Sequence, residues 1–192
     1  MSSAALILAA GESRRMGSPK ALLDYAGASF LDTLIGVVAR RCSPVVVVLG
    51  ASADAIRAAA RRPAAFVVNA EWKRGQTTSM QCGLRAVPPE AEGVLFTLVD
   101  HPAVAPATIE ALLDRSPGER LRVPRFRGRR GHPIWFSREL IAEFLELPES
   151  GAARDVVRRH AADTGFLDLD DPGIVADIDD RADYAALLGE AP

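Results

Sequence analysis

What is scarce in this chain narrows its chemistry before any motif is read. Among 192 residues there are two cysteines, Cys42 and Cys82, and three histidines. No Cys-x-x-Cys pair and no histidine cluster accompanies them. That argues against a disulfide framework or a structural zinc site, and for a reduced, cytoplasmic setting. Charge of one sign is lacking as well. Lys+Arg 23 against Asp+Glu 25 leaves a net −2, so no global field recruits nucleic acid or an anionic membrane. The basic residues act locally or not at all. The apolar run that follows Met1-Ser2-Ser3 has no cationic flank and is too short for a signal peptide or a membrane span. No internal repeat, low-complexity tract or linker divides the chain. What is plentiful is core material: 48% of residues are hydrophobic and the mean hydropathy is +0.08. The expectation is one domain over residues 1–192, since domains of about 100–200 residues are the norm.

Apolar runs of strand length alternate with helical patterns. Ala4 to Ala9 reads as a buried strand, and Phe30 to Arg41 as a helix opened by the capping pair Ser29 and Asp32. Val45 to Leu49 is β-branched, unbroken, and bounded by Pro44 and Gly50. An unbroken apolar strand needs cover on both faces, which marks a parallel sheet. A helix over Ala53 to Arg61, a strand over Ala65 to Val68, a helix from near Thr77, a strand over Val94 to Val99 and a helix over Pro106 to Arg115 follow. This order predicts an α/β fold, a three-layer sandwich around a mostly parallel, Rossmann-like sheet. Beyond Ser116 the pattern loosens. "RVPRFRGRRGHPIWF" reads as two short strands around a basic turn, a hairpin at the sheet edge. "ESGAARDVVRRHA" reads as a helix, and "GIVADIDDRADYAALL" as a short strand, an acidic turn and a terminal helix.

The first strand empties into Gly11, Arg14, Arg15, Gly17 and Lys20. Ligands of open α/β sheets sit beyond the carboxyl ends of strands. Glycines let backbone N–H groups face an anion while Arg and Lys supply charge. The combination suits a polyphosphate; the same residues would also make a solvated surface loop. It is neither Gly-x-Gly-x-x-Gly nor a Walker A loop, because Ser18-Pro19 intervenes between Gly17 and Lys20.

The stretch "LAAGESRRMGSPKALL", Leu8 to Leu23, closely resembles the signature Leu-Ala-(Ala/Gly)-Gly-x-Ser-x-Arg-Met-Gly-x-x-Lys of the MobA-like NTP transferases, the nucleotidyltransferases of the molybdenum cofactor type. Related signatures occur in sugar-phosphate and methylerythritol cytidylyltransferases. The resemblance implies a fold of the nucleotide-diphospho-sugar transferase type, and a loop, Leu8, Ala9, Ala10 and Gly11 onward, that wraps the triphosphate. Arg15 and Lys20 match its phosphate-binding cations and Gly11 its close-approach glycine, while Arg14 matches a variable position.

Two acidic turns carry the rest of the resemblance. "FTLVDHP" ends a strand at Asp100, where the family has an Asp-x-Pro whose Asp holds Mg2+; alone, a strand-end Asp is as readily a turn former. His101 reads as a wall of the acceptor site or a structural residue, since Mg2+ takes oxygen. "ADIDDRAD" is similar to the family's Asp-(Ile/Val)-Asp-Thr-Pro-Glu-Asp segment. This alignment selects Asp179 as the second metal ligand, with Asp177 as its rival and Asp180 as a helix N-cap. Asp180-Arg181 stands where Thr-Pro is usual.

Gly75 and Ser79 of "EWKRGQTTSMQCGL" match the family's Gly-x-x-x-Ser segment against base and ribose. Gln76, Thr77 and Thr78 add polar groups, Thr77 reads equally as a helix cap, and Met80 reads as core. Arg127, Arg129, Arg130, Gly131 and His132 match a hairpin ending in Gly-(Asn/His)-Pro that helps form the acceptor pocket, or else a solvated cationic hairpin. Gly151 and Arg154 correspond loosely to a Gly-Asp-x-Gly-Ala-Arg segment. The resemblance therefore implies a Mg2+-dependent enzyme transferring CMP from CTP to a phosphorylated, molybdopterin-type acceptor, with a molybdenum hydroxylase as the eventual partner. CTP is favoured because Ala10 replaces the second glycine of guanylyl-transferring relatives. A guanylyl- or sugar-phosphate nucleotidyltransferase, or a non-catalytic accessory protein for cofactor insertion, is the alternative.

Overall fold

The centre of the molecule is β1 (Ser3–Ala9), which pairs in parallel with β4 (Cys42–Leu49) on one side and β6 (Gly93–Leu98) on the other. This computed structural model describes residues 2–189. Side chains alternate along β1. Ala4, Leu6 and Leu8 enter one hydrophobic core and Ala5, Ile7 and Ala9 the other. Both faces are covered, which is why the strand is apolar from Ala4 to Ala9.

One core is closed by α3 (Gln76–Arg85), α5 (Ile141–Leu145) and α6 (Ala153–Arg159), through Met80, Leu84, Ile141, Phe144, Val156 and Val157. The other is closed by α1 (Phe30–Val38), α2 (Ala53–Ala59), α4 (Pro106–Leu113) and α7 (Arg181–Leu188), through Phe30, Leu34, Ile56, Ile109, Leu112 and Leu187. Three layers result. Gly83 lets α3 lie close on the sheet, since a Cβ there would stand 2.3 Å from Leu6 Cδ1. Ser29 caps α1 by accepting from the Asp32 N–H at 3.0 Å. Asp32 Oδ2 accepts the Ser29 hydroxyl proton, and its Oδ1 accepts the N–H groups of Arg61 and Arg62 beyond α2.

The sheet runs β10-β7-β9-β6-β1-β4-β5, with β8 attached to β7. Here β5 is Ala65–Val68, β7 Leu121–Phe126, β8 Arg129–Arg130, β9 Ile134–Ser137 and β10 Thr164–Asp168. A small separate hairpin joins β2 (Asp24–Tyr25) to β3 (Ala28–Ser29). The sheet is mostly parallel, β9 running against β6 and β7.

Two local expectations are corrected. The basic hairpin is not an edge: β9 pairs with β6, β7 pairs with β9, and β10 closes the sheet beyond them. The buried β7 and β9 carry Leu121, Val123, Trp135 and Phe136 into the core, which an edge position would leave half uncovered. Nor is "GIV" a strand. Pro172–Val175 forms a 3-10 turn, because Asp171 accepts the Gly173 N–H and Gly173 packs against the Ala103 carbonyl. Helices α1 and α4 also end before the predicted Arg41 and Arg115, at Val38 and Leu113. Among the described residues, no helix is long and apolar enough to cross a membrane.

Candidate functional site

The carboxyl ends of β1, β4 and β6 open at one edge of the sheet, and the loop after β1 turns across it. Ser13 and Gly17 take left-handed backbone conformations, with φ of 55° and 73°. The Ser13 carbonyl accepts from the N–H groups of Met16 and Gly17, and its hydroxyl accepts from the Lys20 N–H at 3.0 Å. Met16, within the loop, is buried. Gly11 has open space where a Cβ would stand, so the protein's own packing does not demand glycine there. Its clearance faces the cleft.

Charge gathers at the floor of that cleft. Lys20, whose side chain is only 13% exposed, places Nζ 2.7 Å from Asp179 Oδ1 and 3.7 Å from Asp100 Oδ2. Arg15 donates to the other Asp179 oxygen at 2.8 Å. His101 Nδ1 donates to Asp100 Oδ1 at 2.8 Å. Burial pushes the Asp100 carboxyl up, but the His101 hydrogen bond and the charges of His101, Lys20 and His132 outweigh it and hold it below the usual range. The Asp179 carboxyl is held low chiefly by the Lys20 hydrogen bond, against partial desolvation, with Arg15 assisting. Both groups are therefore anionic at neutral pH. Arg14 pairs with Glu12 and is well exposed at the margin of the cleft.

The acidic turn reaches this floor because its backbone is fastened there. The Ile178 N–H donates to the Asp100 carbonyl at 2.9 Å, and Ile178 itself is buried. Its neighbours on either side consequently face different spaces. Asp179 lines the main cleft and Asp177 a second cavity. Asp180 caps α7, with Asp183 closing the box.

The main cleft, of about 420 Å³, is lined by Leu8, Ala9, Ala10, Gly11, Arg15, Lys20, Gly75, Ser79, Asp100 and Asp179, among others. These are the loop, the cations, the two carboxylates and the Gly75–Ser79 pair that the sequence singled out; of the polar groups added beside Ser79, Gln76 lines the cleft and Thr77 and Thr78 do not. The second cavity, about 250 Å³, shares Asp100 and adds His101, Arg129, Arg130, Gly131, His132 and Asp177. Arg127, at the exposed hairpin tip, lines neither. A third space of about 220 Å³ is lined by Thr77, Met80, Phe96, His132 and Arg154. Thr77 is not a cap: its hydroxyl donates to the Gly151 carbonyl, which ties α3 to the loop before α6 and gives Gly151 a structural part. Met80 is core, as expected.

Among the described residues, Asp100 keeps Oδ2 free of a hydrogen bond, while Lys20 and Arg15 occupy both Asp179 oxygens. Two carboxylates on one cleft fit a hard divalent cation, provided that Lys20 and Arg15 turn to the phosphates, which with water would supply its remaining ligands. The oxygens flanking Lys20 Nζ lie no farther apart than its two contact distances together, inside the roughly 8 Å that one hydrated ion can bridge. Among the described residues, no group of three or more His, Cys, Asp or Glu is gathered for an ion on its own. The two cysteines are free, and burial pushes the Cys42 thiol up to about 12.

Sequence reasoning passed over Trp72, Lys73 and Ile56, which also line the main cleft, and Asn69 behind it. Trp72 packs where a Cβ on Gly50 would stand, 2.7 Å from the Trp72 Cβ. A tryptophan within the polar run Glu71-Trp72-Lys73-Arg74 was the available signal.

A mostly parallel sheet covered on both faces, with a cation-rich glycine loop opposite two carboxylates at its strand ends, defines a nucleotidyltransferase-type α/β protein. The chain belongs to the MobA-like NTP transferase family, whose domain profile matches residues 5–164. It is 37% identical over 140 residues to the nicotine blue oxidoreductase of Paenarthrobacter nicotinovorans, spanning 67% of this chain and 68% of that protein. It is 28% identical to a probable molybdenum cofactor guanylyltransferase of Mycobacterium avium (97% and 95% covered) and 26% identical to the molybdenum cofactor cytidylyltransferase of Escherichia coli (93% and 92%). The fold is similar to the crystal structure of Rv0371c from Mycobacterium tuberculosis, with a TM-score of 0.86, 30% identity and all of both chains covered. That protein is also known as a complex with manganese, TM-score 0.83, again over the full length of both chains.

Proposed function

We propose that the protein transfers a nucleoside monophosphate from an NTP to a phosphorylated acceptor and releases pyrophosphate. The observation that carries this reading is Lys20 lodged between Asp100 and Asp179, with Arg15 alongside, at the strand ends. The loop N–H groups from Gly11 onward and the two cations receive the triphosphate. Gly75 and Ser79, at the start of α3, receive the base and ribose. The acceptor enters through the second cavity, where Arg129 and Arg130 face its anionic group. One acceptor phosphate oxygen attacks the α-phosphorus. The bond from that phosphorus to the oxygen bridging the β-phosphate breaks, and its electron pair leaves with pyrophosphate. Lys20 and Arg15 stabilise the charge that develops on the leaving group, and the cleft holds the reactants in line.

Asp100 and Asp179 would hold the divalent cation, Mg2+ in this reading. When bound it supplies Lewis-acid neutralisation of phosphate charge. The 30% identical mycobacterial protein forms a complex with manganese, which supports a role for a divalent ion in this reading. CTP is the donor we favour. The relatives' names divide between cytidylyl and guanylyl transfer at nearly equal identity, whereas the buried Ala10 methyl lines the cleft, where in this reading it takes room beside the base that a purine would need. The acceptor is then a molybdopterin-type phosphate, and the product a cytosine dinucleotide for a molybdenum hydroxylase.

The test is pyrophosphate release with each of four NTPs and a panel of phosphorylated acceptors, preceded by thermal shift with each NTP and Mg2+. At about 100 times the dissociation constant, a bound nucleotide adds roughly 2.7 kcal/mol of stability. Stronger stabilisation by GTP than by CTP would move the donor assignment to a guanylyltransferase. One observation favours a second reading, the 37% identity to a protein named as an oxidoreductase. There the cleft would hold a redox dinucleotide and no phosphorus–oxygen bond would break. Consumption of a reduced dinucleotide without pyrophosphate release would select it.

A further inference from the structure

Behind the main cleft, a buried amide fixes the direction of a hydrogen bond that has no partner within the protein. Asn69 leaves the end of β5 and is 6% exposed. Its Oδ1 accepts the Glu71 N–H at 3.0 Å, which orients the amide. Nδ2 then faces α3 and donates to Thr78 Oγ1 and Ser79 Oγ, each at 3.0 Å. The Thr78 hydroxyl has its proton committed to the Gly75 carbonyl at 2.9 Å. Ser79 differs. Its oxygen accepts from Asn69, but among the described residues nothing accepts its proton, and the residue lines the cleft.

A hydroxyl has one proton to give and lone pairs to receive. With Asn69 occupying the protein-facing lone pair, the Ser79 proton is left for whatever fills the cleft. A donor pointed into a buried space without an acceptor costs free energy, so the site favours a ligand that presents an oxygen or ring nitrogen at this point. We infer that Asn69 is a positioning residue that makes Ser79 an obligatory hydrogen-bond donor to an acceptor atom of the bound nucleotide. This inference rests on the nucleotide reading of the cleft. It adds a polarity: Ser79 selects carbonyl-type atoms and disfavours an amino group at the same place.

Asn69→Asp tests the polarity with little change of shape. The carboxylate still accepts from Glu71, but it now draws the Ser79 proton inward. Titration calorimetry with CTP and with GTP, in Mg2+, is run on wild type, Asn69→Asp, Ser79→Ala and the double variant, with melting curves for each. Binding of either nucleotide by wild type tests the site reading separately, and no binding by wild type overturns that reading together with the inference. Each single variant is expected to bind the preferred nucleotide roughly three- to tenfold more weakly, with the loss in KM and little in kcat. The double variant is expected to match the weaker single. Wild-type affinity in Asn69→Asp, or losses that multiply in the double, would overturn the inference, since a purely structural Asn69 acts independently of the Ser79 hydroxyl. If Asn69→Asp fails to fold, Asn69→Ala in the same cycle carries the comparison, with the same coupling expected and multiplication again overturning it.

Discussion

Lys20 and Asp179, 159 residues apart in the chain, meet at 2.7 Å. The contact joins the first loop of the domain to the turn before its last helix. It exists because β1 and β6 are neighbours and the Ile178 N–H is bonded to the Asp100 carbonyl at the end of β6. The cationic loop after β1, the strand-end carboxylate and the acidic turn are thus one electrostatic unit.

Lys20→Ala removes the cation of that unit. A charge-assisted contact of this kind is worth about 1.5–3 kcal/mol, so nucleotide affinity should fall roughly ten- to hundredfold. Calorimetric titration of the folded variant checks it. Unchanged affinity would show that Lys20 serves only the two carboxylates.

Gly131→Ala strikes the second cavity through the backbone. A Cβ there would stand 1.7 Å from the Ile174 carbonyl oxygen, the atom that also accepts the His132 N–H. The turn leading to Asp177 must move. We expect a loss of about 1–3 kcal/mol of stability, typical of forced overpacking, with acceptor KM raised more than nucleotide KM. A melting curve identical to wild type would contradict this.

His132 governs a stretch of the pH profile. Burial pulls its imidazole down from 6.5 to about 4. Between those values the unfolded chain binds a proton that the folded protein refuses, so stability rises with pH through this window. The stability is fully present above the unfolded value and is lost as pH falls toward about 4. Denaturant midpoints measured across the window should show a slope that His132→Asn flattens. Equal slopes in both proteins would mean that the ring is hydrated.

The interior of the sheet was legible because burial on two faces leaves little choice of residue. Val45 to Leu49 and Ala4 to Ala9 announce themselves as strands, and Ser29 with Asp32 announces the start of α1. Strand β10 was not legible. Thr164–Asp168 contains a glycine and is half-exposed along most of its length, so neither alternation nor an apolar run marks it. The "GIV" stretch misled for the opposite reason, its apolar residues being buried by a 3-10 turn that brings Gly173 against Ala103. At the site, the loop from Gly11 to Lys20 could be picked out from residue types alone, since glycines and cations follow a buried strand. Asp179 could not, because a turn of four acids gives no local reason to prefer one. The preference comes from Ile178, whose burial turns Asp177 and Asp179 to opposite spaces. Asn69 escaped for a similar reason: its neighbours, Thr78 and Ser79, are supplied by a different element.

The measurement that bears most directly on the account is the rate of pyrophosphate release by wild type, Asp100→Asn, Asp179→Asn and the double variant, under one set of nucleotide, acceptor and Mg2+ concentrations. Substitution by Asn keeps size and most hydrogen bonds while removing the charge. The account predicts that each single variant falls to near background and that the double is little worse than either, because residues acting as one unit are strongly non-additive. Near-wild-type release by either single variant, or losses that multiply in the double, would contradict it.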